Sequence, residues 1–359
     1  MIPSLKKLEV ILNNVADGVT VQDVTGKLVY ANKEAARLLG FNTTTGLLSA
    51  SLQDILSQYE LKDEDGNEVP LSKLPGRRAL KGKNEKTILS FRHKDSPSVH
   101  WSIIQSSPVF NDKGAVEYVV NIIHDITEQK LAEQQKDMFL GIASHELKTP
   151  LASIKAFTQL TKRHLLKGDD TSAIDYMGRI ESKVDEITKI INDLRDLAKI
   201  KAGMLEYEPE VFNFAELLRD IIEDFKTLIK THSIVLEGKA DTLVIADRLR
   251  LKQVVTNLIK NAIKYSPGAD KVIVRCEREG KHIKVEIVDF GIGVPENTKD
   301  KIFQPFYRAE NADKVGGLGI GLYISSEIIN YHQGELSVTS NVHKGSTFSF
   351  TLPVKPHKA

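Results

Sequence analysis

Two apolar seams, each several turns long, constrain this chain more than any other feature. Met177, Ile180, Val184, Ile187, Ile191, Leu194 and Ala198 recur at alternating spacings of three and four. Upstream, Leu140, Ser144, Leu147, Leu151, Ile154, Thr158, Thr161 and Leu165 keep the same alternation. Such a period belongs to supercoiled helices, not to strands. Lys167-Gly168-Asp169-Asp170 separates the runs and reads as the turn of a helical hairpin. The two arms cannot fully bury each other's seams, so a second hairpin is needed to complete a four-helix bundle, which predicts a homodimer. The competing arrangement, a hairpin packed only on other domains of its own chain, is disfavoured by so regular a repeat.

The text on either side of the hairpin is of another kind. From Ile11 to Gly40 it reads strand, Asp/Thr-Gly turn, strand and short helix, and from Lys86 to Asp125 three strand-like stretches (TILSFRH, VHWSIIQSSPVF, EYVVNIIHDI) are separated by turn residues. This part is α+β with an antiparallel sheet. From Glu206 onward, helical text (FAELLRDIIEDFKTLIK, DRLRLKQVVTNLIKNAIKYS) alternates with strand text (HSIVLEG, KVIVRCEREG, HIKVEIVDF, GELSVTS, STFSFTLPV), which describes an α/β sandwich. A length of 359 residues suits two or three domains. The expected division of this multidomain α+β chain is 1–128, 129–205 and 206–359.

A composition 41% apolar and 27% charged excludes wholesale disorder. The formal net charge of +1 provides no global field for nucleic acid or an anionic membrane. A single cysteine, Cys276, rules out an internal disulfide and a cysteine-based zinc site, and fits a reducing, cytoplasmic setting. No apolar run approaches the ~18 to 20 residues needed to cross a bilayer, so no membrane span is expected.

The Asp23 to Gly26 turn, Asn32 after the second strand and the closing Asp125-Ile126-Thr127 resemble a PAS sensor domain. PAS folds either bind a small ligand in the cup of the sheet or act only as dimer contacts, and these residues leave both open. Without a cysteine in this region, a flavin-cysteinyl photoadduct is excluded. His93, His100 and His124 lie in strand-like text, where solvent-facing or core histidines are expected rather than haem ligands.

On the first arm, His145 lies one position off the seam, about 100° round the helix from Ser144, and should reach solvent. A neutral imidazole is a good nucleophile near neutral pH, better still when a carboxylate accepts the proton of its other nitrogen, and Glu146 can be that acceptor. Thr149 stands four residues on, on the same face, where its hydroxyl could orient a water. Pro150 cannot donate to the Glu146 carbonyl, so the helix should bend or loosen there. The string Phe139 to Leu151 resembles the phosphoacceptor box of sensor histidine kinases. The resemblance implies phosphorylation of His145, with Glu146 as acid/base and Thr149 serving the reverse, phosphatase reaction.

Asn257, Asn261 and Lys264 line one edge of a helix beside the apolar stripe Leu251, Val254, Val255, Leu258 and Ala262. An amide oxygen suits magnesium and an ammonium suits phosphate, though alone such a trio is an ordinary solvated face. The run from Asn257 to Ser266 resembles the N box of the same kinases. It implies Asn261 as the main metal ligand, Lys264 as a phosphate contact and Tyr265 as an adenine neighbour. Asp289 closes a strand before Gly291-Ile292-Gly293, placing a carboxylate suited to the adenine amino group beside backbone that can approach a flat ligand. Gly316 to Leu322, including Gly317, Gly319 and Gly321, leads into helical text and so offers N–H groups to phosphates. A dinucleotide fingerprint there would need a preceding strand, and the preceding text is polar loop. Ile302 to Arg308 resembles the F box, implying that Arg308 reaches the terminal phosphate and that Ala309 to Val315 forms a lid. Gly345-Ser346-Thr347-Phe348 resembles the last strand of the fold, with Thr347 at the nucleotide. His332-Gln333-Gly334 departs from the paired glycines usual in the family, which puts the shape of that turn in question.

The resemblance as a whole implies a cytoplasmic sensor histidine kinase that uses ATP and Mg²⁺. It is expected to phosphorylate His145 and hand the group to a separate response regulator. A clamp ATPase of the gyrase and Hsp90 kind, or a ligand-sensing dimer scaffold without kinase activity, are the rival readings.

Overall fold

The computed structural model describes residues 5–229, 231–238, 241–309, 317–342 and 344–354. These form two compact units, residues 1–137 and 138–359.

The first unit holds α1 (Leu5–Asn13), β1 (Gly18–Asp23), β2 (Leu28–Ala31), α2 (Lys33–Leu38), α3 (Thr44–Ser49), α4 (Leu52–Ser57), β3 (Tyr59–Lys62), α5 (Pro75–Ala79), β4 (Glu85–His93), β5 (Val99–Phe110) and β6 (Val116–Asp125). The strands form one antiparallel sheet in the order β2-β1-β6-β5-β4-β3. Asp23 closes the first hairpin, one oxygen accepting from the N–H of Thr25 (2.9 Å) and of Lys27 (3.0 Å). Asn32 is fully buried and binds in four directions. Its Oδ1 accepts from Val19 N and Ala35 N, and its Nδ2 donates to Leu12 O and Asp17 O. One amide thereby caps α2 and ties both hairpin strands to the end of α1. The Asp125 carboxylate accepts from Thr127 N and Oγ1 (2.9 and 2.6 Å), which starts the next helix directly from β6. His93 is half-buried, and His100 and His124 are exposed.

α6 (Thr127–Leu165) and α7 (Asp170–Lys201) are the hairpin arms. α6 stays helical through Pro150, so the missing N–H leaves the Glu146 carbonyl without its usual donor but does not end the helix. Gly168 takes φ 75° in the turn, and Asp169 caps α7. Asp169 Oδ1 accepts from Ser172 N at 3.1 Å, and Oδ2 lies 2.8 Å from His164 Nδ1. Hydrogen bonds from Ser172 and then His164 lower its pKa from 3.8 to about 2. A depressed carboxylate stabilises only while ionised, so this cap is complete above pH 3.8 and is lost as pH falls through about 2. An NMR titration of the Ser172 amide should therefore show a midpoint near 2; a midpoint at the ordinary 3.8 contradicts the cap.

The rest of the second unit is β7 (Glu210–Asn213), α8 (Phe214–Leu228), β8 (Ser233–Glu237), β9 (Leu243–Ala246), α9 (Arg248–Lys264), β10 (Lys271–Glu279), β11 (His282–Asp289), α10 (Gly321–Tyr331), β12 (Leu336–Asn341) and β13 (Gly345–Pro353). Five strands make a mixed sheet, β12-β13-β11-β10-β8, with β8 and β10 parallel. The stripe Leu251, Val254, Val255, Leu258 and Ala262 of α9 is buried in one core with Val272, Val274, Ile283, Val285 and Ile287 of the sheet. Burying such side chains is worth roughly 1.5–3 kcal/mol each, which fixes the rotation of α9 and turns its polar edge outward. At the questioned turn Gln333 takes φ 59°, a conformation glycine holds more cheaply, so the fold keeps the turn at the cost of some backbone strain. Among the described residues no helix is long and apolar enough to cross a membrane.

Candidate functional site

A cleft of about 430 Å³ opens at the polar edge of α9. Asn257, Asn261, Lys264 and Tyr265 line one side of it, all from α9 or its C-cap. Asn257 Nδ2 donates to Ser325 Oγ at 3.0 Å, and a Cβ at Gly321 would come within 2.6 Å of Asn257 Oδ1. Gly321 thus lets the N-terminus of α10 settle against α9, with Gly317, Gly319, Gly321 and Leu322 along the wall. Gly316 and residues 310–315 of the expected lid lie outside the described residues.

Asp289 marks the deep end. Its Oδ1 accepts from Gly291 N (2.9 Å) and Ser346 N (3.2 Å). Burial pushes the carboxyl above its ordinary value, while the same two N–H groups pull it back. Gly291 is not a wall of the cleft but lets the turn approach α9: a Cβ there would meet Tyr265 O at 2.0 Å. Gly293 does line the cleft. Thr347 does not, which corrects the expectation from its motif. The register pairs Asp289 with Ser346, so strand alternation sends Ser346 and Phe348 to the cleft and Thr347 to the other face.

Lys264 and Arg308 both face the space near the glycine loop. Burial first, and then the Arg308 and Lys189 cations, hold the Lys264 ammonium below its usual range. The His145 side chain is 79% exposed, and its Nδ1 lies 3.4 Å from Glu146 Oε1. The other Glu146 oxygen accepts from Gly317 N at 3.2 Å. One carboxylate therefore connects the exposed imidazole with the glycine loop. Thr149 is exposed and away from the cleft, its hydroxyl 3.4 Å from the His145 carbonyl.

Sequence reasoning missed the contribution of α7. Glu186, Lys189, Ile190 and Asp193 line the same cleft, and Ile190 and Leu197 are buried in the core of the sandwich. Asp196, buried on α7, accepts from Arg250 Nη1 and Gln253 Nε2 of α9, each at 2.9 Å. Phe139 of α6 meets Phe306 edge-on at 5.7 Å, and Phe306 holds a left-handed φ of 67°. The available signal was a second apolar pair, Ile190 and Leu197, one heptad apart and off the main seam.

An exposed histidine on a hairpin, linked by one carboxylate to the glycine loop of an α/β sandwich, defines a protein of the histidine kinase class. Residues 16–128 match the PAS domain, 135–203 the His Kinase A (phospho-acceptor) domain, and 246–356 the histidine kinase-, DNA gyrase B-, and HSP90-like ATPases. The chain belongs to the sensor histidine kinases. It is 27% identical to the sensor protein kinase WalK of Staphylococcus haemolyticus over 97% of this chain and 55% of that protein. It is likewise 27% identical to the sensor histidine kinase WalK of Bacillus subtilis over 98% of this chain and 56% of that one. The chain thus spans about half the length of these curated relatives. Among solved structures, histidine kinase ThkA in complex with response regulator protein TrrA aligns over 97% of this chain and 99% of that one, at 24% identity and a TM-score of 0.45.

Proposed function

We propose that this chain autophosphorylates His145 from ATP and passes the phosphoryl group to an aspartate of a separate response regulator. The observation that carries the reading is the Glu146 carboxylate, 3.4 Å from His145 Nδ1 and 3.2 Å from Gly317 N. With the Nδ1 proton directed to Glu146, the lone pair of Nε2 faces solvent and is free to attack the γ-phosphorus of ATP. The P–N bond forms as the bond to ADP breaks, and the Nδ1 proton moves toward Glu146 as the ring gains charge. Lys264 and Arg308 would hold the phosphates, Asp289 the adenine amino group, and Tyr265 would sit beside the base. The amide oxygen of Asn261 suits Mg²⁺, which commonly binds with few protein ligands plus substrate phosphates. When bound, the ion supplies charge neutralisation. Thr149 would position the water of the reverse, phosphatase reaction. The need for ATP and the presence of a single cysteine, the free and buried Cys276, support a cytoplasmic setting.

The apolar residues left on the hairpin support a homodimer: Leu151, Ile174, Met177, Val184 and Ile191 are 48–69% exposed within one chain. A second hairpin would cover them. In the first unit, buried Thr20, Ser106 and Asn121 are linked through Ser106 Oγ to Asn121 Oδ1 (2.7 Å) and Asn121 Nδ2 to Thr20 Oγ1 (3.2 Å). Native mass spectrometry of the full chain tests for a small PAS ligand as a discrete added mass.

Incubation with γ-labelled ATP separates the readings. Acid-labile, alkali-stable label is the kinase outcome; hydrolysis without such label indicates the clamp ATPase, and neither signal indicates a scaffold.

Asp289→Asn exchanges an acceptor for a donor at the base. It should weaken ADP binding roughly 10- to 100-fold, the equivalent of about 1.5–3 kcal/mol for a charged hydrogen bond. The nucleotide-free fold should not suffer. A carboxyl with a raised folded-state pKa costs stability when ionised, and that cost disappears as pH falls through the raised value, so the amide should flatten this pH dependence. Calorimetry with ADP checks the binding; an unchanged Kd contradicts the role.

A further inference from the structure

The hairpin contributes more to the cleft than the histidine helix. Glu186, Lys189, Ile190 and Asp193 fall on one face of α7 at helical spacing and form a wall of the nucleotide cleft. Lys189 also borders the adjoining groove, together with Asn257, Lys260 and Gly321 and away from Asp289. Lys189 thus borders both spaces, beside Gly321 at the N-terminus of α10, and its charge acts on that of Lys264. A Cβ at Gly317 would lie 3.1 Å from Lys264 Nζ, so the glycine loop and that cation are in contact. Lys189, Lys264 and Arg308 thus converge from two sides on one loop of backbone N–H groups. Among the described residues that line the cleft, the hairpin supplies the carboxylates Glu146, Glu186 and Asp193, and the sandwich supplies Asp289. Glu146 already accepts from Gly317 N. Asp193, whose carboxyl burial pushes up, sits one turn from Lys189 on the same helix. Like charges gathered around N–H donors suit a polyanion with several oxygens better than a single carboxylate.

We infer that Lys189 is a phosphate-positioning residue, supplied by the hairpin to the outer phosphates of a bound nucleoside triphosphate. The inference rests on the nucleotide reading above and deepens it: the triphosphate ties the ATP-binding domain to the helix pair that carries His145. A diphosphate, lacking the outermost group, holds that tie less firmly.

The test uses the full chain with Mg²⁺ and the β,γ-imido analogue of ATP, measured by calorimetry, and adenosine, measured by ligand-observed NMR. Lys189→Gln should weaken the triphosphate analogue about tenfold, the size expected for one charged phosphate contact, and leave adenosine unchanged. Lys189→Arg should restore most of the loss. If Lys189 served only to offset the charge of Asp193 on its own helix, the triphosphate affinity would not move, which overturns the inference. Equal loss for adenosine also overturns it, since that marks a deformed cleft. A wild-type chain that binds neither ligand overturns the nucleotide reading itself, and this inference with it.

Discussion

A chain carrying His145→Gln is expected to take up no acid-labile phosphoryl group while it folds and binds nucleotide as before. The imidazole is 79% exposed, and its side-chain partner is Glu146 at 3.4 Å. No wall of the cleft is formed by it. Glutamine is a good helix former without a nucleophilic nitrogen, so stability should change by no more than about 0.5 kcal/mol, as for most surface positions. Label retained in the variant would move the acceptor elsewhere. Lost label together with lost nucleotide binding would assign the histidine a structural part that its exposure argues against.

The second large effect is predicted at the contact between α7 and α9. The Asp196 side chain is 5% exposed and that of Arg250 18% exposed, and Oδ1 of Asp196 has no hydrogen-bond partner among the described residues. Arg250→Ala would leave a buried carboxylate with only Gln253, and breaking such a pair typically costs about 3–5 kcal/mol. The lower end, about 3 kcal/mol, suits an arginine still partly in water. The loss should concentrate in the docking of the hairpin, seen as faster hydrogen exchange along 190–197 and the facing turns of α9. Because the cost comes from an unpaired charge, the double variant Asp196→Leu/Arg250→Met should recover part of it. A change below about 1 kcal/mol for Arg250→Ala, the size of a surface pair, would contradict this account.

What the sequence made legible depended on period and on chemistry carried by contiguous residues. The α9 stripe could be read because five apolar side chains at helical spacing have one way to face a sheet, and all five are buried. The five strands of the main sheet are long enough for alternation to appear. β7 and β9, four residues each, are too short for a period to emerge, and their pairing of Glu210 with Ala246 is long-range. Thr347 illustrates a limit of motifs: Gly-Ser-Thr-Phe locates the strand, but only the register of Ser346 on Asp289 decides which residues reach the cleft. Lys189 and Asp193 were hidden for a different reason. Their role depends on how α7 packs on another domain, and nothing in their own helical text distinguishes a docked charge from a solvated one. Gln333 shows tertiary packing overriding local preference, since the turn holds a left-handed φ without glycine.

If Glu146 takes the Nδ1 side of His145, Nε2 is left to accept the phosphoryl group. Heteronuclear NMR of protein labelled with ¹⁵N-histidine, after reaction with MgATP, reads this directly. A phosphorus coupling at Nε2 of residue 145 is the predicted result. Coupling at Nδ1, or on another histidine, would contradict it.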